Sequence, residues 1–175
     1  MTEKYNNINY LIEFPEKYNN REKYPVIIFI HGAGSRGNDV NILKNQVIYK
    51  YKKEHADFPF ILVLPQCHRD SWFDIFEQLQ DFVMYISAQQ YADKSRIYIC
   101  GASMGGYTSY QLLMSLPDLF AAGAICCGGG MYWNAARINA PLLIFHGKED
   151  TTVYPCESVN MYEALKRENK EAYLF

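Results

Sequence analysis

Short apolar runs alternate with stretches of helical periodicity along most of the chain. Val26-Ile27-Ile28-Phe29-Ile30, Phe60 to Leu64, Arg96 to Cys100 and Leu142 to Phe145 are rich in β-branched and aromatic residues. Near-continuous runs of this kind suit strands buried on both faces. Ala121 to Cys126 makes a weaker strand of small residues, and Ile8, Tyr10, Ile12 and Phe14 recur at period two, as in a leading edge strand. From Asp74 to Tyr91 the apolar residues Ile75, Phe76, Leu79, Phe82, Val83 and Ile86 fall on one helical stripe. Ile42 to Glu54 and Ser158 to Glu168 read as further helices. The alternation predicts an α/β fold, a mostly parallel central sheet with helices on both faces. Pro and Gly gather at the junctions, and no repeat, low-complexity tract or linker divides residues 1–175, so one domain is expected.

Composition narrows the function classes. Of the 175 residues, 49% are hydrophobic and 21% charged, which excludes disorder, and a net charge of −2 without a basic stretch argues against nucleic acid or an anionic membrane surface. No apolar run is long enough to span a bilayer and the first residues lack a signal core, so a cytoplasmic protein is expected. The cysteines Cys67, Cys100, Cys126, Cys127 and Cys156 lack metal-ligand spacing. No metal or cofactor is expected, and oligomeric state is not readable.

The most specific chemistry follows the run ending at Cys100. Gly101-Ala102-Ser103-Met104-Gly105-Gly106 is a G-x-S-x-G turn between a strand and a helix running through Tyr110 and Leu113. A serine on such a sharp turn projects above the sheet, and side chains two residues to either side would collide. The helix after it aims its free N–H groups and positive end at the same point, which favours an oxyanion. The competing reading is a glycine-rich turn that only permits close packing.

Two more strand ends carry candidate groups. Val26–Ile30 runs into His31-Gly32-Ala33-Gly34-Ser35-Arg36-Gly37-Asn38-Asp39, a glycine-rich loop where open α/β sheets place ligands. Its Ala33 or Gly34 N–H is a candidate second oxyanion donor beside Met104 N–H, the alternative being an ordinary turn. A phosphate loop is excluded by the missing Lys-Ser/Thr ending. Leu142–Phe145 ends in His146-Gly147-Lys148-Glu149-Asp150. An acid past a strand end, C-terminal to the serine, fits the order Ser, Asp, His; on spacing alone Asp150 and Glu149 are rivals, and a solvated acidic turn is the bland alternative.

Taken in order, these pieces resemble the esterase and predicted-peptidase branch of the α/β-hydrolases, which includes feruloyl-esterase-like and polyhydroxybutyrate-depolymerase-like enzymes. The matching segments are Tyr24-Pro25-Val26 into His31–Asp39, Leu64-Pro65-Gln66-Cys67 with Ser71-Trp72, Arg96–Ile99 into Gly101–Tyr107, Phe120–Ala122 to Gly128–Gly130, and Pro141 to Asp150. The resemblance implies carboxylic-ester hydrolysis through an acyl-enzyme, with Ser103 as nucleophile and Asp150 as acid. It puts Gln66 and Trp72 in the rim of the active site as substrate contacts. It sets His31 and His146 at strand ends where the backbone matters more than the imidazole.

One departure stands out. The family's general base is a histidine beyond the acid, and none follows Asp150; the four histidines are His31, His55, His68 and His146. Glu171 to Phe175 reads as the opening of one more strand. The expectation is therefore an α/β-hydrolase domain without its C-terminal strand remainder and helix, of very low activity as it stands. A non-catalytic hydrolase-like binding module is the alternative. The short span between Ala121 and Pro141 leaves little room for a lid, so the substrate expected is a small ester with a short or aromatic acyl group.

Overall fold

The computed structural model describes residues Met1–Phe175. Its eight strands form one sheet: β1 (Thr2–Tyr5), β2 (Ile8–Glu13), β3 (Tyr24–Ile30), β4 (Ile61–Pro65), β5 (Ala92–Ala102), β6 (Ala122–Cys126), β7 (Leu142–Phe145) and β8 (Ala172–Leu174). The order is β1-β2-β4-β3-β5-β6-β7-β8, antiparallel for β1–β2 and β2–β4 and parallel from β4 onward. Helices α1 (Val47–Glu54), α2 (Phe76–Ser87), α3 (Met104–Ser115) and α4 (Cys156–Arg167) complete an α/β-hydrolase architecture. None is long and apolar enough to cross a membrane.

Strand alternation decides which residues enter the core. Val26, Ile28 and Ile30 of β3, Ile97 and Ile99 of β5, and Leu142 and Ile144 of β7 are buried on one face. There they join the α2 stripe (Leu79, Phe82, Val83, Ile86) and Tyr110, Leu113, Met161 and Leu165 from α3 and α4 in the main core. A smaller cluster, Leu11, Val40, Leu43, Tyr49, Leu62 and Leu64, fills the other face beneath α1. Beyond α1 that second face is open, and Ile27, Tyr98, Leu143 and Tyr173 line an apolar groove of about 450 Å³. Coverage of both faces holds only for the β2–β4–β3 side.

Some elements depart from the sequence pattern. Ile8–Glu13 is an inner strand, because Thr2–Tyr5 folds back on it through a turn in which Asn6 takes φ +50°, a left-handed conformation that asparagine tolerates. The helix expected over Ile42–Glu54 is a 3-10 segment, Val40–Asn45, followed by α1. Asp39 caps the first piece by accepting from Asn41 N–H, and Gln46 is extended between the two. A capping box joins Ser71 and Asp74 across the 3-10 turn Trp72–Ile75, which precedes α2.

The topology positions the site. From β3 the chain crosses to β4 on one side, while from β5 it crosses to β6 on the other. The carboxyl ends of β3 and β5 are therefore the point where connections diverge, and open α/β sheets have their crevice there. Ile30 pairs with Gly101 in register, so the His31–Asp39 loop and the Ser103 turn emerge side by side.

Candidate active site

Ser103 takes φ +54° and ψ −122° between β5 and α3, a backbone conformation that side-chain-bearing residues rarely adopt. It is held by Ser103 N–H donating to Cys126 O at 3.0 Å and by Gly106 and Tyr107 N–H donating to Ser103 O. The flanking glycines are steric necessities. A Cβ on Gly105 would overlap the Ile30 carbonyl, and one on Gly101 would overlap Ser109 Oγ and the Gly105 carbonyl. Helix α3 thus presses against β3 and aims its first N–H groups, Met104 included, at the turn.

The loop after β3 meets this turn directly. The Cβ position of Gly32 lies 3.4 Å from Ser103 Cβ and 3.9 Å from Ser103 Oγ. Neither Ala33 nor Gly34 N–H is used in a loop, turn or cap hydrogen bond. The Ser103 turn and the Gly32 end of the loop, far apart in the chain, therefore meet.

Asp150 sits in the loop after β7, partly exposed. Its Oδ1 accepts from Thr152 N–H (2.9 Å) and Val153 N–H (3.0 Å), and those two bonds hold its carboxyl below the usual aspartate range. Oδ2 lies 3.7 Å from His146 Nε2. Glu149 beside it is exposed and makes no side-chain hydrogen bond.

Both strand-end histidines use their rings fully, which corrects the expectation that the backbone matters more there than the imidazole. His31 is fully buried, its Nδ1 donating to Gly32 O at 2.6 Å and its Nε2 accepting from Cys67 N–H at 3.0 Å. That pattern is the neutral imidazole, and burial pushes its pKa down to about 4 despite the Gly32 carbonyl, with Arg36 adding to the drop. The His146 side chain is 3% exposed, with Nε2 against Val153 O (2.8 Å) and Nδ1 against Ser158 Oγ (2.6 Å). Ser158 Oγ in turn donates to Gly128 O at 3.1 Å, so this ring ties the acid loop to α4 and to the glycine run after β6. Neither ring has a nitrogen free for Ser103. His55 stacks on Tyr51 at the end of α1, and His68 keeps its Nδ1 buried and unpaired.

Gln66 and Trp72 are also corrected. They are 1% and 0% exposed and offer no surface to a ligand. Gln66 Nε2 donates to Ser35 O (3.2 Å) and Asp39 O (3.0 Å), and Trp72 Nε1 donates to His31 O (3.0 Å). Pattern reading misses these roles because they depend on how the β4 exit lies against the β3 exit. The polar type of Gln66 at the end of an apolar strand was the only local signal.

Comparison with known proteins gives likenesses to hydrolases. Residues 67–130 match the family model of the prolyl oligopeptidase family. The crystal structure of a thermostable esterase superposes with a TM-score of 0.79 at 29% identity, over 96% of this chain and 50% of that one. Feruloyl esterase B of Thermothelomyces thermophilus is 28% identical over 136 residues, 70% of this chain and 44% of its own. Inactive dipeptidyl peptidase 10 of Mus musculus is 25% identical over 126 residues, 71% of this chain and 16% of its own. The chain thus spans half or less of the length of each. The fold is that of the α/β-hydrolases, and the likenesses are to esterases and peptidases of that fold.

Proposed function

We propose that the chain carries the nucleophile, oxyanion donors and acid of a serine hydrolase that cleaves carboxylic esters through an acyl-enzyme on Ser103. The observation that carries this reading is the packing of Gly32 against Ser103, where a Cβ on Gly32 would stand 3.4 Å from Ser103 Cβ, next to the unspent N–H groups of Ala33 and Gly34 in sequence. Ser103 Oγ attacks the ester carbonyl carbon as its proton passes to a histidine base. The oxyanion accepts from Met104 N–H and from Ala33 or Gly34 N–H. On collapse the alcohol leaves with the proton from the imidazolium, and the acyl group stays on Oγ until water repeats the sequence. Asp150 orients the imidazole through Oδ2, since Oδ1 is spent on its own loop.

The base in this reading is a histidine outside the 175 residues, because the rings of His31 and His146 are fully engaged. The substrate is a small ester with a short or aromatic acyl group. Peptide cleavage is less favoured, because an amide needs a better-stabilised leaving group and no specificity pocket is marked. The mechanism calls for no cofactor, nucleic acid or membrane, and the setting is cytoplasmic. A non-catalytic binding module is the second reading, favoured by the absence of a free imidazole and by the likeness to an inactive dipeptidyl peptidase.

The test is p-nitrophenyl acetate hydrolysis by the chain and its Ser103→Ala variant, with and without added imidazole. Loss of the histidine from a comparable triad costs about a millionfold in turnover, so both proteins are expected to be slow in plain buffer. Imidazole acting as an external base is expected to raise the rate of the parent above that of Ser103→Ala. Equal rates at every imidazole concentration favour the binding module. Ordinary esterase rates without imidazole, abolished by Ser103→Ala, would make His31 or His146 the base and overturn the assignment above.

A further inference from the structure

We infer that Gln66, with Trp72, is a positioning residue that fixes the oxyanion loop from behind; this rests on the esterase reading of the same site. The loop from His31 to Asp39 contains three glycines, and such a segment is costly to hold in one conformation. An oxyanion hole needs its donors fixed before charge develops. The loop's own bonds are few: His31 Nδ1–H to Gly32 O, Ser35 N–H to Gly32 O, Arg36 N–H to Ala33 O, and Arg36 Nε to Ala33 O.

The missing rigidity comes from the exit of β4. Gln66 Nε2 donates both of its hydrogens, to carbonyls at two points of the loop, Ser35 and Asp39. Cys67 O accepts from Gly37 N–H at 2.8 Å, and Cys67 N–H donates to His31 Nε2. Trp72 closes the other end through its indole N–H on His31 O. One side of the loop is thereby pinned at residues 31, 35, 37 and 39, which leaves Ala33 and Gly34 between fixed points, next to the Gly32 that lies against Ser103.

The orientation of the Gln66 amide is forced, because a flipped amide would set Oε1 against two carbonyls. In the forced orientation Oε1 is buried without a partner. Burying an unpaired acceptor is unfavourable. The fold carries that loss while both N–H groups hold the loop, and a glutamine retained for substrate contact would have exposed surface instead.

The experiment compares the parent with Gln66→Leu, which removes the hydrogen bonds at similar volume, and Trp72→Phe, which removes the indole N–H. Kinetics use p-nitrophenyl acetate and p-nitrophenyl butyrate with imidazole as external base. Gln66→Leu is expected to lower kcat about tenfold and by the same factor for both esters, with KM nearly unchanged. Amide exchange at Ser35 and Gly37 is expected to speed up at least about tenfold, while β5 amides stay protected. A rise in KM that differs between the two esters would restore a substrate contact and overturn the inference, as would unchanged kcat with unchanged exchange. If Gln66→Leu does not fold, Trp72→Phe is judged by the same outcomes. If Ser103→Ala matches the parent, the esterase reading falls by itself, and the exchange at Ser35 and Gly37 still decides the role of Gln66.

Discussion

Around Ser103 the reason for each residue is steric or electrostatic, and single substitutions separate the two. Gly105→Ala drives a methyl into the Ile30 carbonyl and is expected to cost about 3 kcal/mol in urea unfolding. Gly34→Ala enters open space and is expected to change stability by no more than about 0.5 kcal/mol. Equal costs would contradict the packing described. His31 adds a pH dependence with a definite sign. Its pKa is about 4 in the fold against 6.5 ordinarily, so the unfolded chain binds the proton more tightly. Its contribution is complete above pH 6.5 and is lost as pH falls through 4. Between pH 7.5 and 5 this group should account for about 2 kcal/mol of lost stability. Urea melts at the two pH values should show that part of the loss disappear in His31→Asn; an identical loss in the variant would refute it. The glycines around Ser103 were legible in sequence because their reason is local. The jobs of His31, Gln66, Trp72 and His146 were not, since each ring or amide reaches a partner on another segment.

Among the elements, periodicity was most informative where a helix lies flat on the sheet. The stripe Leu79, Phe82, Val83, Ile86 is fully buried, whereas Met84 between them is half exposed. Phe82→Ala is therefore expected to cost about 3–5 kcal/mol, and Met84→Ala no more than about 0.5 kcal/mol. Comparable shifts in the denaturation midpoint would mean the helix faces another way. Boundaries were less legible. Val40 to Glu54 looks continuous in pattern but breaks at Gln46, whose extended backbone no propensity dictates. β1 escaped notice because Thr2-Glu3-Lys4-Tyr5 has no apolar alternation, its strand character coming from pairing with β2.

For the whole molecule, the parallel sheet and its switch point followed from the order of apolar runs, and they explain why two distant turns meet. Coverage of the sheet is unequal. Leu143, Phe145, Tyr173 and Phe175 remain 39–66% exposed on the face beyond α1. Contiguous apolar surface of this kind takes up hydrophobic dyes. The 175-residue chain should enhance the fluorescence of such a dye, and Leu143→Lys with Tyr173→Lys should reduce it; no enhancement in the parent would mean that the face is covered. The central claim is that the fold brings Ser103 to the oxyanion donors as a nucleophile. Peptide mapping by mass spectrometry, after the chain reacts with p-nitrophenyl acetate in imidazole buffer, tests it most directly. With the reaction quenched in acid during turnover, the acetyl group should be found on the peptide bearing Ser103, and not in Ser103→Ala. Acetylation confined to lysines and cysteines, with Ser103 unmodified, would contradict the account.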